Sequence, residues 1–196
     1  MAMDNAPPVD QRTGLPKKVL KEYWSKQLPQ KVSFLVFKRE RIMEIWALEE
    51  NRWNWIETYD ILGASGDLGP KLKEGDRQVP EGIYRIIGLN PKSRFHRSML
   101  IDYPNEFDRE MAKHDTRTGL GGEICIHGGA ASIGCIAMGD EVSEDLFWLV
   151  SSTGMRNIKV IISPYDFRKN QCFGFPANPQ WTIELYEIIK NELKQY

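Results

Sequence analysis

Hydrophobic residues change their spacing several times along the chain, and each change predicts an element. Residues 1–16 hold three prolines and Gly14 without an apolar period, which predicts a flexible N-terminal segment. Leu20, Tyr23 and Trp24 then fall on one side at helical offsets. They predict an N-terminal helix within residues 17–30, running from Lys17 to Gln27 before Pro29 ends it. From Val32 the period drops to two. Val32, Phe34 and Val36 alternate with Ser33, Leu35 and Phe37, so this strand is expected to be dry on both faces. After the charged turn Lys38–Arg41, a second strand carries Ile42, Glu44, Trp46 and Leu48. Trp53 to Ile61 form a third, and together the three read as a β-meander.

Leu62 to Gly82 contain Gly63, Gly66, Gly69, Pro70, Gly75, Pro80 and Gly82 and no period, the mark of either a binding loop or a plain surface excursion. Strands resume at Ile83–Gly88, Ser98–Asp102, Glu123–His127 and Asn157–Ser163. Glu141 to Ser152 place Val142, Leu146, Leu149 and Val150 on one helical face and stop before Gly154, a C-terminal cap. Trp181 to Leu193 carry a stripe of Ile183, Tyr186, Ile189 and Leu193. The expected fold is therefore mainly β, with mixed sheets and a few peripheral α-helices. A domain over 31–170 follows the N-terminal helix (17–30), and a C-terminal helical extension (171–196) closes the chain.

Composition narrows the function. The 196 residues include 26 Lys and Arg against 27 Asp and Glu, a net charge of −1, and this lack of a basic surplus argues against a nucleic-acid partner. Aromatic residues make up 11% of the chain, six of them Trp, which argues against disorder. No apolar run is long enough to span a bilayer. Met1 to Pro8 show neither a basic start nor an apolar stretch, so no signal peptide is expected in the sequence as given, and these residues leave the compartment open. Three irregularly spaced cysteines do not make a disulfide framework.

The candidate chemistry lies in Ile124-Cys125-Ile126-His127-Gly128-Gly129-Ala130-Ala131-Ser132-Ile133-Gly134-Cys135-Ile136-Ala137-Met138. A strand delivers His127, small residues let the backbone double back, and Cys135 follows eight residues later. A cysteine beside a histidine forms a thiolate–imidazolium pair, and the thiolate is a nucleophile. Gly134 frees the neighbouring peptide to aim N–H groups at a developing oxyanion. Other readings stand beside this one. Cys135 and His127 can be ordinary buried groups. Cys125, His127 and Cys135 can bind zinc with Cys172 as a fourth ligand, although no close C-x-x-C knuckle exists. A Cys125–Cys135 disulfide is also conceivable, and it would block the nucleophile.

The run His127-Gly128 … Ser132-Ile133-Gly134-Cys135-Ile136-Ala137-Met138 resembles the signature of the L,D-transpeptidase (YkuD-type) catalytic domain. Gly75-Asp76 … Pro80-Glu81-Gly82-Ile83-Tyr84 is similar to an upstream block of that family, with Val79 where Thr is usual. Ser93-Arg94-Phe95-His96 and Asp102-Tyr103-Pro104-Asn105-Glu106-Phe107-Asp108-Arg109 resemble a further block, found in the branch that includes periplasmic murein-processing enzymes such as the amidase releasing peptidoglycan-bound lipoprotein. The similarity runs from about Val32 to Phe167.

The resemblance implies an L,D-transpeptidase-like fold with Cys135 as acyl-accepting nucleophile and His127 as general base. The N–H groups of Gly134 and Cys135 would form the oxyanion hole, and Ser132 would shape the loop, its carbonyl orienting His127. Ile133 replaces the second histidine of the common Ser-His-Gly-Cys form and Ala137 replaces a common arginine. Both departures, and the short gap between His127 and Cys135, match the murein amidase-like branch. Arg94, His96 and Tyr103 become candidate contacts for substrate carboxylates, whereas His114, in the polar run Lys113–Thr118, is expected to be solvated. No metal or organic cofactor is implied. The implied partners are peptidoglycan stem peptides, with a murein-linked lipoprotein as a candidate, and the implied compartment is the periplasm or cell envelope. The alternatives are a non-catalytic peptidoglycan-binding module of the same fold and a Cys/His zinc or redox protein.

Overall fold

The meander expected after Val32 is present as three antiparallel strands, β1 (Lys31–Phe37), β2 (Ile42–Glu49) and β3 (Arg52–Asp60). These come from a computed structural model that describes residues 20–24, 27–169 and 179–196. Only Glu50 and Asn51 join β2 to β3, at φ of 51° and 62°, the left-handed pair that a two-residue hairpin needs to match strand twist.

β1 is dry on both faces because two different layers cover it. Val32, Phe34 and Val36 lie in a large core with Leu146, Leu149 and Val150 of a helix over Asp140–Thr153. Leu35 and Phe37 pack in a second core against Leu185, Tyr186, Ile189 and Leu193 of the final helix, Thr182–Leu193. Ser33 lies on that second face, where its hydroxyl shares a 2.6 Å hydrogen bond with Tyr196, so its burial leaves no polar group unpaired.

The remaining strands are β4 (Gly63–Ala64), β5 (Gly82–Asn90), β6 (Ser98–Ile101), β7 (Cys125–His127), β8 (Ile136–Ala137) and β9 (Ile158–Ser163). With the meander they form one mixed sheet in the order β3-β2-β1-β9-β5-β6-β7-β8-β4. β1 and β9 run parallel, as do β7 and β8. β5 links the two halves of the sheet. Its first residues, Gly82–Arg85, pair with β9, and the stretch from Ile86 to Asn90 pairs with β6 across a register break between Ile86 and Gly88. Such a break bends the strand, and it turns the β6–β7–β8–β4 half away from the meander.

The helices differ from expectation in informative ways. The first, α1, is Leu20–Tyr23; Leu20 and Trp24 enter the main core and Tyr23 faces out, while residues 27–30 are not helical. Residues 17–19, 25 and 26, like the proline-rich start, lie outside the described residues. A second helix, α2 (Glu106–His114), was not expected. It starts on a capping box in which Asn105 Oδ1 accepts the Asp108 N–H at 3.1 Å and Asp108 accepts the Asn105 N–H at 2.9 Å. The Asp140–Thr153 helix, α3, ends at Gly154 with φ 89°, the expected cap. The final helix, α4, buries Leu185 where Ile183 was expected, and Ile183 is 52% exposed. α4 is no appendage, because it closes the second core.

The loop from Leu62 to Gly82 is built rather than loose. β4 pairs with β8, and Asp76 accepts the N–H groups of Leu72, Lys73 and Gln78 as well as the Lys71 ammonium. Its end is anchored by the buried Lys38–Glu81 ion pair at 2.9 Å. Lys38 Nζ also donates to the carbonyls of Gly69 and Val79, while Glu81 accepts from Gly69 N–H and from the Tyr186 hydroxyl of α4.

Candidate active site

Strand alternation places the side chains of Cys125 and His127 on one face of β7 and sends Ile126 into the core, where it is fully buried. The parallel register pairs Ile126 with Ile136 and His127 with Ala137, so Cys135, one step earlier, arrives beside Cys125. The connecting loop is held at several points. Gly128 N–H donates to the His96 carbonyl at 3.1 Å, and Gly129 N–H donates to Asp140 Oδ1 at 2.8 Å. A Cβ on Gly128 would stand 2.5 Å from Asp140 Oδ1 and 2.7 Å from the Phe95 carbonyl, so the His-Gly dipeptide tolerates nothing larger here. Gly134 adopts φ 118°, and a Cβ there would meet the Gln78 carbonyl at 3.4 Å. The Leu62–Gly82 loop therefore lies directly against the residue preceding Cys135.

His127 is buried, and its Nδ1 lies 2.6 Å from the Gly128 carbonyl. A carbonyl only accepts, so Nδ1 carries hydrogen and Nε2 is left to face Cys135. Cys135 Sγ accepts the Cys125 backbone N–H at 3.4 Å and lies 3.8 Å from the Glu123 carbonyl, with the His127 imidazole acting on it as a favourable charge. The neighbouring Cys125 thiol, the imidazole and the Cys125 backbone N–H outweigh burial and hold the Cys135 thiol down at about 4. Burial opposes charge on His127, but the bonds to Cys135 and to the Gly128 carbonyl prevail and raise it above its ordinary value. The resting state this favours is a thiolate beside an imidazolium, a nucleophile with an acid at hand. Cys125 moves the other way: the neighbouring Cys135 sulfur, with burial added, raises its own thiol.

Ser132 and Gly134 sit in the turn before Cys135. Ser132 Oγ donates to the Cys135 carbonyl at 2.5 Å and lies 3.3 Å from the Gly134 N–H. The carbonyl that orients His127 is thus that of Gly128, where Ser132 had been expected to supply it. Ile133 stands on the same turn and is 78% exposed. His96 faces α3, its Nε2 lying 3.5 Å from Glu144, and only its backbone carbonyl reaches the His-Gly loop. Tyr103 is buried, its hydroxyl placed to donate to the Leu120 carbonyl at 3.2 Å or the Lys71 carbonyl at 3.4 Å. That makes it a scaffold group rather than a substrate contact. His114 is solvated as expected, with 78% of its side chain exposed.

Two residues at the site were not anticipated. Phe95 stacks on the His127 ring at 5.0 Å between centroids, and the Arg94 guanidinium lies 4.7 Å over the other ring system, so Arg94 reaches the site through Phe95. The expectation had singled out Arg94 and His96, one on each side of Phe95. Cys125, weighed only as a zinc ligand or a disulfide partner, instead donates its backbone N–H to Cys135 Sγ. The signal for it was the Cys-x-His spacing itself, since alternation puts those two side chains on one face. Cys125 and Cys135 are both free thiols. Among the described residues no group of three or more His, Cys, Asp and Glu side chains is arranged to hold a metal ion, and Cys172 lies outside them. Among the described helices none is long and apolar enough to cross a membrane.

A hollow of about 540 Å³ beside the site is lined by Leu68, Pro70, Leu72, Gln78 and Arg117. The larger one, about 1060 Å³, opens between β1, β5 and α2 and includes none of the residues around Cys135.

A thiol and an imidazole are thus carried on adjacent strands of a mixed sheet. Residues 32–162 match the YkuD family, the L,D-transpeptidase catalytic domain, and the chain belongs to that family. A protein of Escherichia coli strain K12 named "Putative L,D-transpeptidase YafK" is 32% identical over 152 residues, covering 75% of this chain and 59% of that protein. The chain thus spans about three fifths of the length of this curated relative. The fold is similar to that of the helical cell shape determining protein Pgp2 from Campylobacter jejuni, with a TM-score of 0.57 and 23% identity over 69% of this chain and 48% of the other. A variant of Pgp2 gives a TM-score of 0.55 at 22% identity, covering 89% of this chain and 61% of that one. The family and the mainly β fold expected from the His127–Cys135 signature are thereby established.

Proposed function

We propose that the protein is a cysteine acyl-transfer enzyme acting on peptidoglycan stem peptides in the cell envelope. The observation that supports this reading is the parallel β7–β8 register that brings Cys135 and His127 to neighbouring strands, with His127 Nδ1 held by the Gly128 carbonyl, within a chain of the L,D-transpeptidase family. The Cys135 thiolate attacks the carbonyl at the L-centre of a stem-peptide diamino acid. The developing oxyanion takes a hydrogen bond from the Cys135 N–H and, as the long contact to Ser132 Oγ gives way, from the Gly134 N–H. The His127 imidazolium then protonates the departing amine, leaving a thioester on Cys135 and a neutral imidazole.

Neutral His127 next accepts a proton from the incoming acceptor. An amine of a second stem peptide yields a cross-link, a D-amino acid yields an exchanged peptide end, and water yields trimming or release of a murein-attached protein. Chemistry up to the thioester is common to all three outcomes. Ile133 and Phe95 present apolar surface at the rim, suited to the aliphatic backbone of a diamino acid, and Arg94 over Phe95 supplies a cation for a substrate carboxylate.

Mass spectrometry of muropeptides incubated with the protein tests this reading, using murein with and without attached lipoprotein. The expected result is a mass change in at least one muropeptide class together with a trapped acyl adduct on Cys135. Unchanged muropeptides and no adduct, with a folded protein and an active control enzyme, would overturn it.

A further inference from the structure

Ser143 is the only polar side chain that α3 buries, at 0% exposure beside Leu146, Phe147, Leu149 and Val150. A hydroxyl enclosed by apolar groups is unfavourable unless it is hydrogen-bonded. Ser143 Oγ directs its single proton away from its own helix, to the Arg97 carbonyl at 2.9 Å and the His96 carbonyl at 3.2 Å. Both carbonyls belong to the turn between β5 and β6, where His96 and Arg97 take φ of 51° and 42°. Two successive residues other than glycine in the left-handed region are strained, and such backbone persists only where its surroundings hold it.

The same turn bears on His127. Its His96 carbonyl accepts the Gly128 N–H at 3.1 Å, and its Phe95 ring packs on the His127 ring with centroids 5.0 Å apart. The start of α3 also grips the loop that follows His127. Gly139 N–H donates to the Gly129 carbonyl at 2.9 Å, and Asp140 Oδ1 accepts the Gly129 N–H at 2.8 Å. Glu144 reaches the turn as well, 3.1 Å from Arg97 Nη2, but its side chain is 56% exposed and water screens that pair. The Ser143 contact is the dry one.

We propose that Ser143 is a positioning residue for the His127 imidazole, acting through the strained turn and Phe95. From the proposed reaction it takes only that His127 is the working imidazole. The first turn of α3 thus fixes His127 from two sides, the Gly129 backbone through Asp140 and the ring through Ser143, His96–Arg97 and Phe95.

Proton NMR of the fully reduced protein reads this path without substrate. The chain has three histidines, so the His127 ring signals can be assigned. The ring current of Phe95 displaces those signals, and Phe95→Leu should move them. Ser143→Ala should move them in the same direction. The double variant should match Phe95→Leu alone, because two changes on one path do not add. Glu144→Ala should leave the signals at their wild-type positions. In muropeptide turnover Ser143→Ala should lose at most about tenfold, as for Phe95→Leu.

Unmoved His127 signals in a folded Ser143→Ala protein would overturn the proposal. So would a double variant displaced by the sum of the two single changes, or a Glu144→Ala displacement equal to that of Ser143→Ala. Should Ser143→Ala fail to fold, Ser143→Cys decides. Its thiol occupies nearly the same space and donates only weakly, so the signals should move part of the way, and unmoved signals would sink the idea. Because the NMR measurement needs no murein, a failure here and a failure on muropeptides are read separately.

Discussion

Two blocks of this chain stand out equally in the sequence, Gly75–Tyr84 and Ile124–Met138, and the fold uses them in opposite ways. The first contributes Glu81 to an ion pair with Lys38 whose side chains are 0% and 5% exposed. There the ammonium has three oxygen partners and the carboxylate three donors, so nothing is left to react. Burial works against the Lys38 charge and Glu81 works for it. The second block contributes Cys135 and His127, a pair at the inner strands β7 and β8 whose thiol is partly exposed. Its imidazole is fixed on one nitrogen by the Gly128 carbonyl and turned with the other to a sulfur. A charged pair becomes scaffold when every lone pair and proton is taken and water is excluded. It becomes a reagent when one atom is held polarised but within reach.

Exchanging the fates of the two pairs is the sharpest way to break this comparison. Cys135→Ala should reduce muropeptide turnover by about a thousandfold or more while leaving the thermal midpoint nearly unchanged, because a part-exposed thiol contributes little packing. Glu81→Leu should do the reverse. It leaves the buried Lys38 charge without its carboxylate, at a cost of about 3–5 kcal/mol read by urea unfolding, and the surviving folded protein should keep its muropeptide turnover. A stable Glu81→Leu protein would show that the ion pair does not anchor the loop.

Gly134→Ala joins the two blocks, since the residue at φ 118° packs on Gln78 of the first and precedes Cys135 of the second. Forcing an alanine into that conformation should cost about 1–3 kcal/mol of stability and slow acylation disproportionately to the unfolded fraction. The pH profile of acylation separates the pairs again. Cys135 is lowered to about 4, so the thiolate persists down to that pH, and His127 is raised, so the imidazolium persists above its ordinary 6.5. Acylation should therefore rise through a midpoint near 4 and fall only above 6.5, whereas a profile rising through the ordinary thiol range would contradict the ion pair. The smallest effect is expected from Phe95→Leu. Losing the aromatic contact with His127, about 0.5–1.5 kcal/mol, should lower turnover by at most about tenfold and shift the alkaline limb.

Periodic elements were legible because they answer to a local rule. Alternation located β1, β2, β3 and β9 to within a residue or two, and the burial of both faces of β1 could be read from its unbroken apolar run. α2 was missed although Asn105 and Asp108 spell its capping box, because Phe107 and Ala112 make too weak an apolar period to announce a helix. In α4 the stripe was placed one turn face away, with Ile183 in place of Leu185, since a helix rich in Ile, Leu and Tyr offers two nearly equal faces and only the β1–β9 surface chooses.

At the candidate site, the approach of Cys135 to His127 was legible in one short run, because the glycines and small residues between them let two neighbouring strands close in a tight loop. The surroundings did not follow. Phe95 on His127 and His96 turned to Glu144 depend on where the β5–β6 turn settles, and Cys125 against Cys135 depends on the register of β7 with β8. Local order and the candidate residues are written in the chain through short-range periodicity and chemistry. Which neighbours tune those residues is a property of long-range pairing, where a shift of one residue in β7 or β8 would turn each of these side chains to the other face.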